Sequence, residues 1–318
     1  MPRSSSNSFK MTVGFRIAYS DQQKLVACSG GRINVFDIER RQKIMSCHPL
    51  SNISAAAFSP NGKHLAVKNT SGRIVVLNSF TGEVLCDHKN QKEGEGCPVH
   101  FSPDGEMLVD GSWKGVITVR KAFEPTIVSR EEFPGEMILQ ISHDLSRRKW
   151  LFMHSPKLKP GQNRCDPPYL ILRDWPCGES NLQRIPLDPD VWSGSTSTIS
   201  PDASRICYEH NYRKDYKVCI IHTRDGKIET IANTDDVRGE LVWSWDGQII
   251  GAIHGYKPES RFTFYRSSDL SMLGEVPCES PSSICFLPDT DQVVLGSWHF
   301  SRLASLEDFL SGLVKMRK

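Results

Sequence analysis

Histidines and tyrosines recur at one spacing in the second half of the chain, and these side chains could bind a metal ion or a partner. His210 and Tyr212 are followed by His254 and Tyr256 at the same separation, and His154 precedes both pairs. Three histidines could form a ring of metal ligands, but no carboxylate accompanies them at the fixed spacing typical of a metal site. We therefore predict neither a metal ion nor a cofactor.

Two tryptophans, Trp113 and Trp298, each follow a Gly-Ser pair at a related position. Together with tyrosines and nearby basic residues they have the composition of a protein-binding hot spot. The alternative is that these rings pack against neighbouring parts of the fold. The residues predicted to contact a partner are Trp113, Lys157, Lys159, Arg164, Tyr212, Arg213, Lys214, Tyr256, Lys257, Arg261 and Trp298.

Sequence motifs of common enzymes are absent from the chain. It has no Gly-x-Ser-x-Gly elbow and no phosphate-binding loop of the Gly-x-x-x-x-Gly-Lys type. We therefore predict no catalytic residues. A site assembled from several distant segments stays open as an alternative, because sequence spacing does not reveal such a site.

A repeated phrase along the chain must position these residues. The phrase begins with an apolar residue followed by Ser, Pro, Asp or Asn and often Gly. A run of apolar strand residues comes next, as in FSPDGEMLV from Phe101. Copies start near residues 18, 58, 101, 141, 199, 243 and 286, at intervals of 40, 43, 40, 58, 44 and 43 residues. A period of this length, rich in short strands, is typical of a β-propeller.

Each copy contains four β-rich runs, here named a, b, c and d from the channel outward. We predict an all-β fold, a seven-bladed β-propeller of four-stranded antiparallel blades over residues 8–306, with a flexible tail at 1–7. The last copy lacks a clear strand d. Residues 8–14 are predicted to supply that strand and close the ring, which removes open sheet edges. The segment 307–318 could instead be that strand, or a short helix.

The turn phrase and the four-strand spacing resemble those of the WD-repeat family over residues 10–306. VFDIERRQKIMSC, at 35–47, lies where a WD repeat has strand c and the start of strand d. Phe36-Asp37 takes the place of the Trp-Asp pair, and the family's Gly-His signature is absent. The resemblance implies a non-catalytic interaction platform, a scaffold or adaptor for a protein or peptide partner.

The departures from the repeat suggest where a partner binds. In a propeller the b–c and d–a connections share one face, and loops on a rigid scaffold commonly carry function. The long interval after residue 141 adds length at 154–169, and the predicted b–c loops at 210–217 and 254–261 are also enlarged. We predict partner binding through this face of blades 4–6. The alternative is an enzyme or small-ligand site at the mouth of the central channel.

Charge and composition narrow the partner class. The net charge is +2, and basic b–c loops alternate with acidic d–a loops. Nucleic-acid binding, which favours a coherent basic surface, is therefore not expected. Arginines recur just before strand c, and we expect them to pair with acidic neighbours. They are Arg32, Arg73, Arg261 and Arg302.

Cysteine usage and the N-terminus bear on the compartment. The ten cysteines are scattered without a Cys-x-x-Cys pair, and several occupy strand positions, so we interpret them as reduced core residues. MPRSSSNSFK lacks the apolar segment of a signal peptide, and no apolar run has membrane-spanning length. We expect a cytoplasmic protein that does not contact membranes and is monomeric on its own.

Overall fold

The computed structural model shows seven four-stranded antiparallel sheets arranged as the blades of a β-propeller. It describes residues 8–89, 98–157, 166–176, 182–187, 196–212, 215–234, 237–255 and 260–316, without the side chains of 211, 212, 215 and 238. The innermost strands of consecutive blades contact one another around the ring. The predicted fold class is therefore confirmed.

The first strand, β1 (Phe9–Met11), belongs to the last blade, and the next sixteen strands form blades 1 to 4 in chain order. Blade 1 contains β2 (Arg16–Ser20), β3 (Leu25–Ser29), β4 (Ile33–Asp37) and β5 (Gln42–Cys47). Blade 2 contains β6 (Ile53–Phe58), β7 (His64–Asn69), β8 (Ile74–Asn78) and β9 (Val84–His88). Blade 3 contains β10 (His100–Phe101), β11 (Met107–Gly111), β12 (Val116–Lys121) and β13 (Ile127–Glu132). Blade 4 contains β14 (Glu136–His143), β15 (Lys149–Pro156), β16 (Tyr169–Asp174) and β17 (Leu182–Pro186).

The remaining strands form blades 5 to 7. Blade 5 contains β18 (Ser197–Ile199), β19 (Arg205–Tyr212), β20 (Asp215–His222) and β21 (Ile228–Thr234). Blade 6 contains β22 (Val237–Trp243), β23 (Ile249–His254), β24 (Arg261–Arg266) and β25 (Met272–Pro277). Blade 7 contains β26 (Pro281–Phe286), β27 (Gln292–Ser297) and β28 (Ser301–Ser305), with β1 as its outer strand.

The N-terminal segment closes the ring, as predicted. Strand β1 pairs antiparallel with β28, and Lys10 lies opposite Arg302. The C-terminal segment instead begins with a short helix, α1 (Leu306–Leu310), whose first turn is capped because the Asp308 N–H donates to Ser305 Oγ at 3.0 Å. Phe309 of this helix is buried against blades 6 and 7, so the tail covers the joint between them.

The turn phrase joins strands a and b in every blade, and its hydrogen bonds define the register of the repeat. In blade 3, the Ser102 hydroxyl donates to Asp104 and accepts the Met107 N–H at 2.9 Å. In blade 4 the two residue types are exchanged, since the Ser146 hydroxyl donates to Asp144, which accepts the Lys149 N–H at 2.8 Å. The structural start of this repeat is therefore residue 143, two residues after the start indicated by sequence.

Apolar packing within and between blades forms the core, and one buried charged cluster lies among it. Lys68 is 1% exposed, and its Nζ lies 3.3 Å from Asp110 Oδ2 in the next blade. Arg120 Nη2 lies 2.9 Å from the other oxygen of the same carboxylate. One carboxylate thus contacts two buried cations and joins blades 2 and 3.

The described cysteines are all free, and five of these seven are buried. Burial raises the pKa of Cys28 to about 12, so this thiol stays protonated in the core. Within the described ranges, no helix has the length and apolar character needed to cross a membrane.

Candidate interaction face

Both predicted tryptophans lie in b–c turns on one face, and the serine before each one shapes its turn. Ser112 Oγ accepts the N–H groups of Lys114 and Val116, each at 3.3 Å. Ser297 Oγ accepts two N–H groups in the equivalent turn of blade 7, from residues 299 and 300, each at 3.2 Å. Because the serine oxygen accepts the backbone N–H groups of the turn, the tryptophan after it takes no part in the turn's hydrogen bonds and points outward.

The exposure of the two indole rings follows from these turns. Trp113 is 44% exposed and Trp298 is 58% exposed. Neither ring is buried between blades, which was the alternative expected for an aromatic residue at a strand end. Tryptophan is seldom left this exposed without a role, because its large ring gains much from burial.

Trp298 belongs to a cluster of aromatic and charged side chains at the mouth of the channel. Its ring lies 4.6 Å from the ring of Phe15, and the Arg16 guanidinium lies 4.9 Å from the same phenyl ring. Arg16 Nη1 donates to Glu240 Oε1 at 2.9 Å, which links blade 1 to blade 6 across the channel. Sequence reasoning missed these three residues, because they occur once and lie far apart in the chain.

His154 is buried rather than presented on this face. Its Nδ1 lies 2.8 Å from Glu136 Oε2, and the Tyr169 hydroxyl donates to Glu136 Oε1 at 2.8 Å. Burial lowers the pKa of His154, so its imidazole is neutral near pH 7. Burial opposes ionisation of Glu136, but the two donors outweigh it and lower the pKa of this carboxyl. Strand β15 extends to Pro156, past the predicted start of the loop.

The predicted loop at 210–217 is for the most part strand. Strands β19 and β20 form a hairpin in which Tyr212 pairs with Asp215, so only two residues connect them. His210 is buried within this hairpin, and His254 is buried at the end of β23 with Nε2 3.1 Å from the Tyr265 hydroxyl. The extension is supported by β21, which pairs with β20 as far as Tyr216, while β19 beyond Tyr208 pairs with β20 alone.

The structure describes only part of the predicted basic surface. Lys157 is partly buried, and its N–H donates to Gly135 O at 2.7 Å. Arg261 forms an ion pair with Glu275 at 2.6 Å, so any partner contact must share this guanidinium. The remaining residues, or in the case of Tyr212 its side chain, lie outside the described part of the chain: Lys159, Arg164, Tyr212, Arg213, Lys214, Tyr256 and Lys257.

Two of the four arginines before strand c, Arg73 and Arg261, pair with acids as expected, and within the described part of the chain the other two do not. Arg73 forms a two-contact ion pair with Asp87, and this hydrogen-bonded contact lowers the pKa of Asp87. Arg32 Nε donates to Ser46 Oγ at 3.2 Å. In this pair, as in Arg73–Asp87 and Arg261–Glu275, the acceptor lies fourteen positions after the arginine. Arg302 differs, since its guanidinium lies 5.7 Å from the Phe300 ring. Arg32, Arg73 and Arg261 therefore brace strands c and d of their blades.

Among the described residues, no group of three or more His, Cys, Asp or Glu side chains is arranged to hold a metal ion. The opposite face, formed by the a–b turns, contains a cavity of about 610 Å³ at the channel mouth. An enzyme or small-ligand site at the channel mouth, the alternative to partner binding, would lie in this cavity.

Comparisons with known proteins show the fold but not a family. No protein-family model matches the chain. A curated Arabidopsis thaliana protein, "Protein ANTHESIS POMOTING FACTOR 1", is 29% identical over 126 residues, which are 36% of this chain and 38% of that protein. The match thus spans about two fifths of the relative's length. Kuenenia stuttgartiensis hydrazine synthase gives a TM-score of 0.72 at 14% identity, covering 96% of this chain and 98% of that chain. Likeness at that identity shows the fold alone.

Proposed function

We propose that this chain is a non-catalytic protein-interaction platform, which binds a protein or peptide partner through the face that carries its b–c loops. The observation that carries the proposal is the exposure of Trp113 and Trp298 in turns of the same construction on one face. Exposed tryptophans beside charged groups are the residues that most often supply binding energy in protein interfaces. The resemblance to WD repeats supports the same class of function.

The charge distribution favours a polypeptide partner over a nucleic acid. Arg73 and Arg261 are already paired with acids of their own blades, which leaves less free positive charge for phosphates. At the channel mouth Arg16 and Glu240 present opposite charges beside the aromatic pair. Mixed charge around an apolar centre favours specific register and fast association with another protein.

The insert of blade 4 extends the proposed surface. Strands β15 and β16 are joined by residues 157–168, the longest b–c connection of the ring. We propose that blades 4–6 contribute Lys157, Lys159, Arg164, Tyr212, Arg213, Lys214, Tyr256, Lys257 and Arg261 to the partner contact.

Replacing Trp113 and Trp298 together by Ala should weaken partner binding by at least about tenfold, since a hot-spot residue contributes about 2 kcal/mol or more. Because both rings are exposed, the thermal unfolding temperature should change little. The measurement is titration calorimetry with the partner purified from the native host. Met272→Ala is a matched control, because Met272 is 61% exposed but lies on an outer strand at the side of the ring.

A second pair of substitutions tests the contribution of blades 5 and 6. Tyr212→Ala combined with Tyr256→Ala should also weaken binding while leaving thermal unfolding nearly unchanged. Equal affinity of the tryptophan double variant, the tyrosine double variant and wild type would refute the proposed face. If Met272→Ala were the only variant to bind more weakly, the interface would lie at the side of the ring instead.

A further inference from the structure

The channel mouth on the face of the a–b turns forms a cavity that the proposed function does not use. Its volume is about 610 Å³, and it is lined by innermost strands and turns of blades 1 to 6. Pockets for small organic ligands commonly measure about 300–1,000 Å³. The cavity therefore has the size of a small-molecule site, on the face opposite the two exposed tryptophans.

Much of the cavity wall is apolar. Trp243, Trp245, Pro60, Pro201 and Ala57 all contribute to it. The indole N–H groups are already used within the fold, since Trp243 donates to Thr198 O at 3.3 Å and Trp245 donates to Phe286 O at 2.8 Å. With their polar atoms engaged, these rings offer carbon surface to a ligand.

Arg147 is the residue of the wall that fills a left-handed turn position with a long charged side chain. Ala203 fills the same position in blade 5 with φ of 61°, so glycine is not required there. Gly62, Gly105 and Gly247 occupy the fourth position of their turns with φ near +70°, and Arg147 occupies that position in blade 4 with φ of 57°. Its N–H donates to Asp144 O at 3.0 Å, as the Gly105 N–H does to the equivalent carbonyl. A left-handed backbone is strained for a residue with a Cβ, because the Cβ comes close to the following carbonyl oxygen. Blade 4 thus accepts the left-handed conformation at a residue whose guanidinium lines the cavity, as blade 5 accepts it at Ala203.

The Arg147 guanidinium contacts no carboxylate. Nη1 donates to Phe101 O at 3.2 Å and Nη2 donates to Phe58 O at 3.3 Å, and among the described residues it forms no ion pair. Burial lowers its pKa to about 10, so it remains charged at neutral pH. Two of its five N–H groups are used, which leaves three available for an anion.

The histidines beside Arg147 offer acceptors rather than charge. His100 Nε2 lies 3.2 Å from Ile141 O, and His143 Nδ1 lies 2.8 Å from Asp144 O, so each ring donates to a carbonyl and keeps one free acceptor nitrogen. Burial, together with the charge of Arg147, lowers the pKa of His100 to about 4 and lowers that of His143 as well. Arg147 is therefore the cation of this cavity at neutral pH.

The wall contains two carboxylates, which bear on the charge that a ligand can carry. Asp21 is held by Lys24 Nζ at 2.6 Å and by the Tyr19 hydroxyl at 3.2 Å. Asp144 accepts from Ser146 and from the Lys149 N–H. Lys24 offsets the charge of Asp21, so Asp144 is the carboxylate of the described wall that opposes the Arg147 charge, and it disfavours ligands with more than one negative charge.

We propose that this cavity binds a small monocarboxylate with a flat apolar body. The carboxylate accepts hydrogen bonds from Arg147, whose planar fork matches its two oxygens. The apolar body lies against the carbon surface of the tryptophans and prolines. This site is independent of the partner-binding face, so either proposal can fail without the other.

Titration calorimetry with chosen probes tests the ligand class. Phenylacetate and indole-3-acetate should bind saturably at millimolar or lower concentrations, while the neutral phenylacetamide should bind at least about tenfold more weakly, because charge-assisted hydrogen bonds contribute about 1.5–3 kcal/mol. Inorganic phosphate should not bind. If neither acid binds wild type at millimolar concentration, or if phosphate binds as well as the acids, the proposal is wrong.

Substitutions at two adjacent arginines test whether Arg147 binds the carboxylate of the ligand. Arg147→Gln should weaken binding of the two acids by at least about tenfold, since it removes the charged donor. Arg147→Gly, which restores the residue of other repeats and relieves the backbone strain, should fold and show the same loss. Arg148→Gln removes the same charge at an exposed neighbour outside the cavity and should bind as wild type does. Unchanged affinity in both Arg147 variants would overturn the assignment.

Discussion

Replacing Asp110 by Asn is expected to reduce the free energy of unfolding by about 3–5 kcal/mol, the range for a buried ion pair that loses one partner. Asp110 is the only carboxylate among the described residues that contacts both Lys68 Nζ and Arg120 Nη2. The variant keeps the shape of the side chain but removes the carboxylate charge that faces two buried cations. Urea unfolding followed by tryptophan fluorescence measures the loss.

Asp21→Asn is the matched control for this prediction. Asp21 and Lys24 form an ion pair at 2.6 Å on the surface, with side chains 41% and 42% exposed. An exposed pair contributes at most about 1 kcal/mol, because water screens it and the side chains lose freedom. Adding Lys68→Met to Asp110→Asn should recover part of the loss, since one of the two buried cations is removed. A loss below about 1 kcal/mol for Asp110→Asn would contradict the inferred role of the cluster.

Acidification below neutral pH is expected to destabilise the fold before most carboxylates titrate. His100 and His143 are neutral in the folded state, because burial and the nearby Arg147 lower the pKa of both. In the unfolded chain these groups bind protons below pH 6.5, so unfolding takes up protons and the free energy of unfolding falls as pH falls. For His100 this window extends from pH 6.5 to about 4.

The expected slope is about 1.4 kcal/mol per pH unit for each such histidine. His143→Phe, which introduces the residue found at the equivalent position in blades 2, 3 and 7, should reduce the slope by removing one group. Urea midpoints at a series of pH values between neutrality and pH 5 give the measurement. A flat profile in wild type, or an equal slope in the variant, would show that these imidazoles are not held neutral.

The periodic part of the fold could be predicted from sequence, because each copy of the turn phrase carries its own local physics. Gly105 and its equivalents allow the left-handed turn, and the serine side chain accepts the N–H that begins strand b. Ring closure by β1 followed from the missing outer strand of the last copy. The exchange of Asp144 and Ser146 displaced the predicted start of one repeat, because the pattern of residue types was inverted while the hydrogen bonds were kept.

The candidate sites were less predictable, since they depend on contacts between distant parts of the chain. Arg16 and Glu240 meet across the channel although 224 positions separate them. His154 and His254 begin predicted loops, but strands β15 and β23 extend far enough to bury them. The two Gly-Ser-Trp copies were the exception. There, a local turn decides that the ring points outward, so sequence could identify the position.

Site-specific photo-crosslinking in the native host tests the central claim most directly. A photoreactive phenylalanine analogue in place of Trp298, or of Trp113, should form a covalent adduct with a protein partner. The same analogue in place of Asp289 is the control, because Asp289 is exposed in the a–b turn of the same blade as Trp298, on the opposite face. The account predicts one common adduct from both tryptophan positions and none from position 289. Adducts from position 289 alone would show that the partner binds the other face.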